Sequence, residues 1–164
     1  MNEIFNRVSV RKFSEKEVSD KDITKLLKAG MSAPSSKNVK PWEFYVVKNK
    51  EVLEQLSAAA PNAKPCKNAN VAIVVCGNNS LELNDYIDIN LSAATENILL
   101  EATSLGLGSV WLGIRPKEER VENVAKILDL PENISAFSLI AIGYPLGEIK
   151  KKERFDESII HYVL

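Results

Sequence analysis

Residues 87–105 constrain this chain more than any other stretch. Ile87, Leu91, Ala94, Ile98, Ala102 and Leu105 recur every three or four positions, and Gly106 follows where a helix ends. The spacing predicts one long helix. Ala93, Ala94, Leu99 and Leu100 place small or apolar side chains on more than one of its faces. Such a helix is expected to be covered from several sides, in part by a second subunit.

The flanking segments alternate between strand and helix patterns. Residues 43–47, 71–75, 109–112 and 136–142 read as strands, and 2–8 as a short helix. Ser19 with Asp22 forms a capping-box start ahead of Ile23, Leu26, Leu27 and Met31. Residues 51–60 read as a further helix, and Pro116 opens another that carries Val121, Val124, Ala125, Ile127 and Leu128. No linker or repeat interrupts the series, which predicts one mixed α/β domain over residues 1–164.

Charge and residue counts then remove whole classes of function. Lysine and arginine total 21 against 22 acidic residues. Nucleic acid and anionic membrane surfaces both demand a surplus of cations, so neither is expected as a partner. The first residues carry charge where a secretion signal needs an apolar run, and a cytoplasmic protein is the expectation. Cys66 and Cys76 are too few for a disulfide framework or a four-thiolate zinc site.

His161 is the one histidine, and it lies in a terminal apolar segment, poorly placed for nucleophilic catalysis. Gly106-Leu107-Gly108 fails as a dinucleotide fingerprint, because a helix precedes it and Trp111 occupies the third glycine position. No Gly-Lys pair exists to form a P-loop. Cys76 reads as a buried small hydrophobe, whereas Cys66 falls in a polar loop and is open to reaction. The chain offers no metal set and no evident acid, base or nucleophile of its own. An enzyme of this composition would rely on a bound cofactor.

Three clusters could hold one. Arg7, Ser9 and Arg11 alternate, so an extended backbone would point two guanidinium forks and a hydroxyl the same way, as a phosphate clamp requires. Lys150-Lys151-Lys152-Glu153-Arg154 is a second cationic group. Pro34-Ser35-Ser36-Lys37-Asn38, closed by Pro41-Trp42, is a loop of small donors and acceptors. Taken singly, each also suits an ordinary exposed strand, a solvated turn or a capped helix exit.

Taken in order, they resemble the nitroreductase family of FMN-dependent oxidoreductases. Arg7-x-Ser9-x-Arg11-Lys12-Phe13 matches its opening motif, and Ala33-Pro34-Ser35-Ser36 with Asn38 and Pro41-Trp42 its second. Leu105-Gly106-Leu107-Gly108-Ser109-Val110-Trp111-Leu112-Gly113 matches the third. Ile142-Gly143-Tyr144-Pro145 followed by Lys152-x-Arg154 matches the fourth. The resemblance implies an α+β fold with a central, mostly antiparallel sheet flanked by helices. It also implies a homodimer with FMN at the interface and a C-terminal arm exchanged between subunits.

Carried over by position, Arg7, Ser9, Lys152 and Arg154 would hold the FMN phosphate. Arg11 would sit near the ribityl chain or the N1–C2 carbonyl edge and stabilise charge there. Pro34, Ser35, Ser36 and Asn38 of the second subunit would border the ring. The backbone at Leu112 and Gly113 would meet the N5–O4 edge, with Asn62 beside the pyrimidine. The implied activity passes electrons from NADH or NADPH through FMN to a nitroaromatic, quinone or similar small acceptor by a ping-pong cycle. A flavin-binding or flavin-sequestering protein without turnover is the alternative, and the apolar tail of residues 159–164 could equally close the chain's own sheet.

Overall fold

A computed structural model describes residues 2–81, 84–150 and 152–163. Lys151 of the second cationic cluster and Leu164 of the tail lie outside these residues. The order of elements is α1 (Glu3–Asn6), α2 (Asp20–Met31), β1 (Trp42–Val47), α3 (Lys50–Ala58), β2 (Val71–Asn78), α4 (Ile87–Ser104), β3 (Gly108–Gly113), α5 (Glu118–Leu128) and β4 (Ile134–Gly143). The sheet runs β1-β2-β4-β3 and every pairing is antiparallel. This is the α+β fold with an antiparallel sheet flanked by helices that the motif order implied.

Both faces of the sheet are covered, which explains the unbroken apolar run in β2. Val71, Ile73 and Val75 pack with α2 and α4, alongside Ile140 and Ile142 of β4. Ala72, Val74 and Cys76 point the other way, toward Leu53 and Leu56 of α3 and Val124 of α5. Alternate residues along one strand thus feed two separate cores.

The helices begin and end where the sequence patterns place them, within one or two residues. Ser19 Oγ accepts from the Asp22 amide at 3.1 Å and donates to the Asp22 carboxylate at 2.8 Å, closing the capping box of α2. The Asn49 side chain caps α3 by accepting from the amides of Glu51 and Val52. Gly106 takes φ 70° just past α4. The short N-terminal helix is smaller than expected, covering Glu3–Asn6. The helix after Pro116 starts at Glu118, with Glu118 and Glu119 in its first turn, where acidic side chains favour the exposed amides.

Helix α4 is covered by its own chain on only part of its surface. Within the chain it is buried along Leu91, Ala94, Thr95, Ile98 and Ala102, but Ile89 is 64% exposed. One chain therefore covers part of its surface and leaves the remainder open. The polar Thr95 fits the core because its hydroxyl donates to Leu91 O at 2.7 Å and meets Ser138 Oγ at 3.1 Å.

The tail forms a single 3₁₀ turn, Glu157–Ile159, and residues 152–163 are all exposed. Among the described residues it joins no strand of the sheet, so the reading in which it closes its own sheet is not met there. Among the described residues, no helix is long and apolar enough to cross a membrane.

Candidate functional site

The N-terminal segment docks along the free edge of β3. Ser9 bridges Ser109 in parallel, and the Val10 amide donates to Ser109 O at 2.9 Å. Two motif glycines make that docking possible. A Cβ on Gly108 would fall 2.7 Å from Val10 Cγ1, and one on Gly143 would fall 2.3 Å from Asn70 Oδ1 and 3.0 Å from Phe13 Cβ. Phe13 then bridges Pro145, directly after the end of β4. The first and fourth motifs are thereby neighbours in space.

Between them runs a groove of about 240 Å³ whose walls include Ser9, Arg11, Lys12, Gly147, Lys150 and Lys152. It combines a hydroxyl with four cations against one carboxylate, Glu148, and the cationic excess is a donor set suited to phosphate. Ser9 and Arg11 are exposed along it, as the alternation in sequence predicts. Lys12 and Lys150 belong to this wall; in sequence Lys150 reads only as part of the second cationic cluster, and Lys12 only as part of the first motif, without a role of its own. Their signal was present, but nothing in sequence fixes which way a surface lysine turns.

Arg7 and Arg154 are engaged differently. Arg7 Nε lies 3.3 Å from Glu96 Oε1, so its charge is directed at α4. Arg154 Nη2 donates to Arg7 O at 2.8 Å, with Nη1 at 3.4 Å from the carbonyls of Phe5 and Lys152. Glu153 sets up this turn. Its carboxylate accepts from the amides of Phe155 and Arg154, and those bonds hold its pKa below the ordinary carboxylate value.

At the opposite end of β3, Leu112 is buried and Gly113 half-buried. A Cβ on Gly113 would meet nothing nearer than Arg115 O at 3.9 Å. Unlike Gly108 and Gly143, this glycine is not demanded by the packing of its own chain. Ser109 and Gly113 are separated by roughly 13 Å along the strand, at ~3.3 Å per residue.

Arg120 of α5 was missed by sequence reasoning. It donates to Gly113 O at 3.0 Å and approaches Asn62 Oδ1 at 3.4 Å. It thus joins two candidates that are far apart in sequence. Arg120 stands in the first turns of a helix beside Glu118 and Glu119, where a charge normally reads as part of a solvated face.

The loop after α2 stands apart, and none of residues 34–38 lines the groove. Lys37, Asn38 and Lys40 all have positive φ, at 50°, 57° and 53°. Each such non-glycine residue costs roughly 1–2 kcal/mol. Ser35 Oγ accepts from the Lys40 amide at 2.9 Å, so that hydroxyl is used inside the loop. The Ser36 amide donates to Asn90 Oδ1 of α4 at 3.0 Å.

Two other polar features are structural. Cys66 is fully buried, which overturns its reading as an open thiol; the 3₁₀ turn Lys64–Asn68 folds it into the core beside α3. Burial pushes the thiols of both Cys66 and Cys76 up to about 12. A larger cleft of about 660 Å³ contains Lys12, Lys48, Lys50 and Lys67. Lys48 pairs with Asp20 and Lys67 with Glu54, so much of its positive charge is neutralised.

Fold and groove together define an α+β protein with a cation-lined channel at the edge of an antiparallel sheet. Comparison with known proteins narrows that class. The model of the Nitroreductase family matches residues 4–70 and 58–144, and the chain belongs to the nitroreductase family. A relative from Archaeoglobus fulgidus, provisionally named NADH dehydrogenase/NAD(P)H nitroreductase, is 45% identical over 96% of this chain and 94% of its own. The crystal structure of a protein of the same provisional name from Bacteroides thetaiotaomicron superposes with a TM-score of 0.94 at 45% identity, covering 98% of this chain and 95% of that one. A nitroreductase from Desulfovibrio desulfuricans, solved in complex with FMN, has a TM-score of 0.85 at 28% identity over 99% of this chain and 95% of its own.

Proposed function

We propose that the protein is a homodimeric, cytoplasmic enzyme, one FMN-binding unit over residues 1–164. It moves electrons from NADH or NADPH to a small oxidised acceptor, such as a nitroaromatic or a quinone, by a ping-pong cycle. The broad part rests on family membership: the protein is an NAD(P)H-dependent flavin oxidoreductase that uses FMN. The observation that carries the site assignment is the groove itself. Ser9 and Arg11 from one end of the chain meet Lys152 from the other, and β3 leads from there to an unobstructed Gly113. A ligand with a phosphate at one end and a planar ring at the other fits that span.

Bound FMN supplies the electron chemistry, taking hydride from a reduced nicotinamide and returning electrons to the acceptor. The chain's own residues bind and orient. Ser9 and Lys152, joined by Lys12 and Lys150, hold the phosphate, and Arg7 turns from Glu96 to complete its shell. Arg154 acts on that shell through the Arg7 backbone. The Arg11 guanidinium stabilises negative charge that builds up at the ring edge.

Leu112 and Gly113 border the ring with backbone, and Arg120 fixes the Gly113 carbonyl while holding Asn62 beside it. Pro34, Ser35, Ser36 and Asn38 approach from the second copy. Phe155, Ile159, Ile160, Tyr162 and Val163 are exposed apolar side chains that the second copy covers. Exposed His161 takes no part, and protons come from water.

Initial rates with NAD(P)H and a quinone varied together test the cycle. Parallel double-reciprocal lines are expected, because the oxidised donor leaves before the acceptor enters the same opening. Intersecting lines would establish a ternary complex instead. Sedimentation of the holoprotein as a monomer would remove the dimer.

A further inference from the structure

Asn90 is an unusual residue to find inside α4. It is 4% exposed, on a helix whose other buried side chains are almost all apolar. Its Oδ1 accepts from the Ser36 amide at 3.0 Å, across 54 residues of sequence. Its Nδ2 is buried and has no acceptor among the described residues. An unmet buried donor carries a desolvation cost, so the bond made by the other half of this amide is where its role is to be sought.

That other half grips a strained loop. Lys37, Asn38 and Lys40 hold left-handed backbone that a non-glycine residue leaves readily unless tertiary contacts enforce it. Within residues 34–40 the remaining hydrogen bonds are local: Asn38 N to Ser35 O, Val39 N to Ser36 O, and Lys40 N to Ser35 Oγ; at the exit, Pro41 O accepts from the Asn78 amide at 2.8 Å and anchors the far end of the loop to β2. The local bonds shape the turn without tying it to the rest of the fold. The Ser36–Asn90 bond fastens it to the long helix.

We propose that Asn90 is a positioning residue that fixes the Pro34–Asn38 loop in the form that borders the flavin of the second subunit. This rests on the shared-site reading given above. It makes each active site depend on an amide in the other chain, buried away from the ligand. Loss of Asn90 lets the loop relax and damages the neighbour's site while leaving its own phosphate groove intact.

The test uses Asn90→Leu, which keeps the volume and removes the acceptor, beside Asn90→Asp, which keeps an oxygen facing Ser36. FMN affinity of the purified holoprotein is the readout. The expected result is a tenfold or greater loss for Asn90→Leu and a value near wild type for Asn90→Asp. Unchanged affinity in Asn90→Leu, or equal losses in both, would overturn the proposal. Should Asn90→Leu fail to fold, Ser36→Pro removes the donor from the loop side. Position 36 opens a 3₁₀ turn after an extended Ser35, so proline fits there. Ser36→Ala, which retains the amide, must then bind FMN better than Ser36→Pro; equal binding contradicts the assignment.

A mixed dimer separates this proposal from the reading beneath it. Asn90→Leu and Arg7→Ala chains are co-expressed with different tags and the heterodimer isolated. A shared site leaves one pocket with both an intact Arg7 and an intact loop, so about half the flavin sites recover. If Asn90→Leu alone is weak but the heterodimer recovers nothing, the loop serves its own chain and the shared site fails.

Discussion

The guanidinium of Arg154 donates to the backbone carbonyl of Arg7 at 2.8 Å, joining residues 147 apart in sequence. The contact ties the C-terminal segment to the N-terminal segment next to the groove. A sequence motif at each end of the chain is thereby brought to one place, the surface proposed above to hold FMN. Arg154→Ala should weaken FMN binding by about 1.5–3 kcal/mol, the usual size of a hydrogen bond to a charged group. A fluorescence titration measures it. An unchanged dissociation constant would show that the tail needs no such anchor.

Arg7 and Glu96 form a competing pair. At 3.3 Å, with the two side chains 25% and 45% exposed, the bond is a partly solvated ion pair of the kind worth less than ~1 kcal/mol. Only Arg7 Nε is engaged, and the Glu96 carboxylate beside the guanidinium would repel a phosphate that took its Nη donors. Glu96→Gln should therefore tighten FMN binding, by up to about fivefold. Weaker binding would mean that Glu96 orients Arg7 for the ligand rather than competing with it.

The glycines give opposite outcomes on substitution. Gly113→Ala finds open space in the chain and should change stability by less than about 0.5 kcal/mol. On the proposed site it should nonetheless impair flavin binding, because the added methyl would stand where the ring edge is proposed to approach. Gly143→Ala collides with Asn70 and Phe13 and should cost about 1–3 kcal/mol. Denaturant midpoints and FMN titrations on both variants check the contrast. A Gly113→Ala protein with normal affinity would move the ring elsewhere.

The two buried thiols carry a pH signature. Burial raises both from the ordinary thiol value of 9.0 to about 12, so the folded chain keeps protons that the unfolded chain releases. Their contribution is complete below about 9 and is lost as pH climbs toward 12. Denaturation midpoints should fall across that window, and less steeply in a Cys66→Ala, Cys76→Ala double variant. Neither thiol should react with a chromogenic disulfide at neutral pH until the protein unfolds. Rapid reaction of the native protein would contradict the burial of both.

Much of this fold was legible because its signals are local. The Ser19–Asp22 cap, the periodicity of α4 and the apolar run of β2 each state their structure within a few residues. The site was legible only in part. Alternation along Arg7, Ser9 and Arg11 shows which side chains share a face, but Glu96, distant in sequence, decides where Arg7 turns. Arg120 and Asn90 act by hydrogen bonds across 7 and 54 residues, and their local contexts resemble a solvated helix face and a helix core. Cys66 misled for the same reason: polar neighbours in sequence surround a side chain that the turn Lys64–Asn68 directs inward.

The central claim is that this chain binds FMN and reduces it with a nicotinamide donor. Visible absorbance of the purified holoprotein, recorded anaerobically before and after NADPH or NADH, tests it most directly. The account predicts a flavin spectrum that bleaches with donor and returns when a quinone or nitroaromatic is added. A protein that stays colourless when FMN is supplied, or a bound flavin that neither donor bleaches, would contradict it.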